Sequence, residues 1–231
     1  MNDRFARTVA VAALVVGPLT LIVANVMQWL LQPSGEAPTA ADVATQFPTA
    51  WLVVGVLSVF GPLVWLAGLP ATAALAPERG RLITRIGALL TGAGLAAGIG
   101  HLALFFGATG AIAGAGLDAD ARAAMEGSTE QEPIGNALLL VFLIAYSLGP
   151  ILLTIGLRIA HRVGVWAPIA AVLTAGANLF GGPIAGIVQL LALVVVWATV
   201  VVAVLRSPAP PAGIGCTTDA GERGAGVPSQ V

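Results

Sequence analysis

Residues 86–113 read IGALLTGAGLAAGIGHLALFFGATGAIA, an apolar run that holds one ionisable side chain, His101. At helical spacing Gly87, Thr91, Gly94, Gly98 and His101 follow one another at steps of four, three, four and three. Those steps keep returning to one side of a helix. Small residues are what membrane helices use to let a neighbouring backbone come close. The side that carries His101 is therefore expected to be buried in protein and not bathed in lipid.

Working outward, the composition agrees with a membrane chain. The sequence is 58% hydrophobic and 9% charged, against about 25% charged residues in ordinary soluble domains. Several of its segments exceed the roughly 18 to 20 apolar residues that span a bilayer. The net charge of -1 argues against a nucleic-acid partner. All the basic residues are arginine, which points to GC-rich coding and a bacterial source. Cys216 is the single cysteine, so neither an internal disulfide nor a cysteine cluster for zinc or iron–sulfur can form.

Read in order, residues 1–7 are a short polar start with Arg4 and Arg7, and 8–31 is the first apolar span. That run is longer than the apolar core of a signal peptide, so an uncleaved helix is expected. Residues 32–48 read as a proline-containing loop, 49–75 as a second span and 76–85 as a basic loop with Arg79, Arg81 and Arg85. The third span, 86–113, is followed by an acidic loop over 114–135. There 120–126 could form a short surface helix, although it presents no clear apolar face. Residues 136–160 make a fourth span. Residues 166–205 are too long for one helix, and Gly181, Gly182 and Pro183 divide them into spans over 166–181 and 184–205. The tail from 207 to 231 is rich in proline and glycine and reads as disordered.

The expected fold is an all-α integral membrane protein, a bundle of six transmembrane helices. With six spans, every arginine except Arg122 falls on one side of the bilayer, and most acids fall on the other. The positive-inside rule then places both termini in the cytoplasm, with the protein in the bacterial inner membrane.

A faint parallel repeat of helix pairs runs through the chain. Gly61-Pro62 followed by Gly68-Leu69 matches Gly149-Pro150 followed by Gly156-Leu157. The spans that come next share Ile86…Thr91 against Ile169…Thr174. In the second copy Ile184 stands where the first has His101, so the imidazole is unique.

Few residues could carry chemistry. An ionisable group inside a membrane span is costly and points to an ion path, a proton relay or a ligand contact, and an imidazole changes charge near physiological pH. At about 1.5 Å per residue, His101, Asn25, Asn178 and Gln189 fall in the outer half of their spans, and Tyr146 near the middle. Together they could line a polar pocket; alternatively, each makes its own hydrogen bond between helices. The sequence holds no nucleophile elbow, phosphate-binding loop or paired-histidine zinc motif. No cofactor, metal site or enzymatic activity is expected. Two functions follow. One is a membrane interaction protein or accessory subunit, partnered by the bilayer and by another membrane protein or a second copy. The other is a small-solute or proton-linked transporter or sensor that uses the pocket around His101.

Overall fold

The computed structural model describes residues 3–31, 39–180 and 182–207. Among the described residues the chain forms α1 (Asp3–Leu31), α2 (Ala40–Gln46), α3 (Pro48–Ala73), α4 (Arg81–Gly114), α5 (Ala119–Glu130), α6 (Pro133–Ile159), α7 (Trp166–Phe180) and α8 (Gly182–Arg206). Five of them (α1, α3, α4, α6 and α8) are long and apolar enough to cross a membrane. The fifth expected span is shorter than a crossing helix usually is. α7 has 15 residues, about 22 Å of rise against a hydrocarbon core about 30 Å thick. The tail from residue 208, including Cys216, and Gly181 of the expected break lie outside the described residues.

Helix boundaries follow local chemistry. α3 and α6 each begin on a proline, Pro48 and Pro133, where the missing N–H had no helical partner to lose. α4 begins five residues earlier than the apolar pattern suggests, after Gly80 at φ 76. That left-handed backbone suits glycine and lets the loop turn tightly beside the carbonyl of Gly156.

Two segments expected as loops contain helices. α2 starts on a capping box: the Thr39 hydroxyl accepts from the Asp42 N–H at 3.2 Å, and the Asp42 carboxylate accepts from the Thr39 N–H at 3.3 Å. α5 starts on Asp118, whose carboxylate accepts from the Ala121 N–H at 2.8 Å. Hydropathy alone misses both, because neither is apolar enough to register.

The long helices and α7 form a ring in which each packs on the next in the chain, and α8 returns to α1. Neighbours run antiparallel: on α1 and α3, Gly17 meets Trp65 and Thr20 meets Gly61. On α4 and α6, Gly87 meets Leu153, Gly94 meets Tyr146 and Gly98 meets Phe142. The stripe of small residues in α4 is thus buried against α6, as its spacing predicts.

The two Gly-Pro helices use the same device. Gly61 of α3 seats on Thr20 of α1, and Gly149 of α6 seats on Thr91 of α4. Gly68 and Gly156, seven residues on, seat on Leu14 and Thr84.

The ring's interior is filled. Trp65, buried completely, meets Trp197 edge-on at 4.7 Å between ring centroids and Tyr146 at 6.0 Å. Leu14, Leu95, Leu153, Ala171 and Val196 complete the cluster from the other helices. Threonines in this region bond backward within their own helices: Thr72 to the Leu69 carbonyl, Thr91 to Gly87, Thr154 to Pro150 and Thr174 to Ala170. Such bonds satisfy a hydroxyl without a partner helix.

Candidate functional site

The five residues singled out by the sequence sit on five different helices. His101 is half-buried on α4, and its Nδ1 lies 3.1 Å from the Gly135 carbonyl in the first turn of α6. A carbonyl only accepts, so Nδ1 carries the hydrogen of this bond. Among the described residues, this is the hydrogen bond in which a side chain joins two of the membrane-length helices. Asn25 instead donates to the Leu21 carbonyl of its own helix at 2.9 Å. Tyr146 is buried, stacked on Phe142 at 5.2 Å and edge-on to Trp65. Asn178 and Gln189 are half-buried on α7 and α8. Among the described residues, no hydrogen bond joins any two of the five.

At the end of the bundle where His101 lies, α2 and α5 form a cap. Glu126 of α5 is 9% exposed, and its carboxylate accepts from the Ala41 N–H of α2 at 3.3 Å. One turn earlier, Arg122 donates to the Thr45 hydroxyl at 3.2 Å and pairs with Asp42 at 3.4 Å. The apolar face that the sequence of α5 lacks is replaced by these polar ties. Glu126→Ala should free α2, since a hydrogen bond to a charged group contributes about 1.5 to 3 kcal/mol. Hydrogen exchange is expected to show α2 amides losing protection while those of α4 and α6 keep theirs; unchanged protection in α2 would refute the tie.

Beneath this cap a cleft of about 620 Å³ opens between α3 and α4. One wall is Trp51, Leu52, Val56 and Phe60 of α3; the other is Ala103, Gly107, Gly110 and Gly114 of α4; Ala44 and Thr45 of α2 close the top. Leu52, Val56, Phe60, Gly107 and Gly110 are exposed, so the cleft faces sideways, toward lipid. None of the five candidate polar residues lines it. The sequence analysis missed it, although a signal was present. Ala103, Gly107, Gly110 and Gly114 repeat at four, three and four, a second small-residue stripe on a different face of α4 from the one that meets α6.

The opposite end carries Arg4, Arg79, Arg81, Arg85, Arg158, Arg162 and Arg206 in the loops and helix ends. Among the described residues no group of three or more metal-ligating side chains comes together. No family model, curated protein or solved structure matches the chain.

Proposed function

We propose that this chain is a non-enzymatic membrane interaction protein, an accessory subunit that works through its lipid-facing flank. One contrast carries the reading. The middle of the bundle is filled by Trp65, Trp197 and Tyr146, whereas a cleft opens on the outside, between α3 and α4. A solute path needs polar groups along an opening, and here the opening is apolar. The transport or sensing alternative has less support, since the hydrogen bonds of His101 and Asn25 end on backbone carbonyls.

In this reading α7 is a sixth, short crossing. The arginine-rich end and both termini face the cytoplasm of a bacterial cell, and the α2–α5 cap faces outward. Gly186 near the start of α8 meets Trp29 near the end of α1, so α8 runs back along α1, and this supports an even number of crossings with α7 as the sixth.

The test is thermal stability in detergent, with His101→Ala beside the wild type, against a panel of small neutral and weakly basic solutes. The expected result is a loss of about 0.6 kcal/mol in the variant, the mean for interhelical hydrogen bonds in membranes, and no solute effect on either protein. A solute that stabilises the wild type and not the variant would overturn the reading in favour of transport or sensing.

A further inference from the structure

At the arginine-rich end two turns of the chain touch. A Cβ added at Gly80, just before α4, would strike the Gly156 carbonyl near the end of α6, and Thr84 seats on Gly156 itself. On the α6 side His161, at φ 56, ends the helix. Its N–H and that of Arg162 donate to the Arg158 and Leu157 carbonyls at 2.9 Å each, which fixes the shape of the second turn.

Four arginines stand within two residues of this contact. Arg79 and Arg81 flank Gly80, Arg158 follows Gly156 by two positions, and Arg162 follows Ala160 by two. The backbone nitrogen of Ala160 also lies beside Gly80. At about 3.8 Å per residue, each arginine leaves the backbone within about 8 Å of chain from the contact. All four are exposed, so their long side chains can reach one ligand. Glu78 is the one acid in either turn. Among the described residues no carboxylate lies within salt-bridge distance of any of the four.

Two ordinary explanations fall short. The positive-inside rule asks for an excess of arginine on this side of the membrane, not for arginines of separate turns around one contact. The helix dipole favours Arg158 in the last turn of α6 but opposes Arg81 in the first turn of α4. Like charges gathered in this way repel one another, and a bound anion relieves the repulsion. Guanidinium groups suit phosphate, which they hold by paired, charge-assisted hydrogen bonds. Exposed aliphatic side chains adjoin them, Leu82 and Ile86 on α4 and Ile155 and Ile159 on α6, so the phosphate that fits here is one carried on acyl chains.

We infer that the joined turns bind the headgroup of one anionic phospholipid, its phosphate held between Arg79 and Arg81 of one turn and Arg158 and Arg162 of the other. This site lies at the opposite end of the bundle from the α3–α4 cleft, so neither reading depends on the other.

The test is native mass spectrometry of the full chain in detergent, titrated separately with phosphatidylglycerol, phosphatidylethanolamine and inorganic phosphate. Arg79→Gln with Arg81→Gln removes one half of the site, and Arg158→Gln with Arg162→Gln removes the other. Arg4→Gln with Arg206→Gln lowers the charge of the same end equally, outside both turns. All six side chains are exposed, so the fold tolerates these changes, and thermal unfolding checks that it does.

The wild type is expected to retain one phosphatidylglycerol, at least about tenfold more tightly than phosphatidylethanolamine, and less tightly as salt rises. Each turn variant alone should lose about tenfold or more in affinity, since one basic side chain near an anionic headgroup is worth about fivefold. The control pair should keep the lipid. Equal retention of the two lipids, or an equal loss in the control pair, would reduce the site to a charged surface and overturn the inference. Wild-type affinity in either turn variant would show that the two turns do not share a headgroup, which also overturns it. Inorganic phosphate bound as tightly as phosphatidylglycerol would replace the lipid with a soluble anion.

Discussion

Gly87→Ala is expected to lower stability by about 3 kcal/mol or more, the upper part of the range for overpacking a well-filled contact. A Cβ at this position falls on the backbone nitrogen of Leu153, and one at Gly94 falls 2.5 Å from the nitrogen of Tyr146. Neither obstacle is a side chain that could swing away, so α4 and α6 must separate. Gly107→Ala on the same helix is the control, because among the described residues no other part of the protein lies within 4 Å of its added Cβ. There alanine removes the conformational freedom of glycine and should stabilise by up to about 1 kcal/mol. Thermal or denaturant unfolding in detergent measures both. A Gly87→Ala protein as stable as the wild type would mean that the backbone contact between α4 and α6 is wrong.

Trp197→Ala should cost about 3 to 5 kcal/mol, as large-to-small changes at fully packed aromatic positions do. The indole is 2% exposed and meets Trp65 edge-on from the far side of the ring. Its removal opens a void bordered by α3 and α8, two helices that are not ring neighbours. Trp197→Phe should be far milder. Among the described residues the buried indole N–H of Trp197 has no hydrogen-bond partner, so phenylalanine sheds an unsatisfied donor along with part of the ring. Comparable losses for the two variants would show that the N–H has a partner after all.

Much of this was legible in the sequence, and the limits have physical causes. The steps of Gly87, Thr91, Gly94 and Gly98 announced a buried face, because close backbone approach leaves a periodic gap in side-chain size. The Gly-Pro pairs in the second and fourth spans were read as a repeat, and their seating on the preceding helices appears only in the structure. The hydrogen bond of His101 was foreseeable as one of two outcomes, yet its acceptor, a backbone carbonyl, leaves no trace in residue identity. α2 escaped, and α5 was foreseen only as a short surface helix over 120–126 without its role, because a cap held by Glu126, Arg122 and Asp42 needs no apolar stripe. The cleft escaped for a related reason. A stripe of small residues looks the same whether a helix covers it or leaves it open, and only the position of α6 tells the two faces of α4 apart.

The ring order also bears on how the chain is built. In the ring of long helices and α7, each packs on the one made just before it, so each hairpin can close as it leaves the ribosome, with little loop entropy to overcome. The most distant exceptions in the sequence are the seam between α1 and α8 and the aromatic contact of Trp65 with Trp197. Until the last helix arrives, Trp65 has no indole to meet and the ring stays open on one side. Synthesis therefore ends with its most distant pairing, and a nascent chain stopped before α8 would hold its hairpins but not its centre.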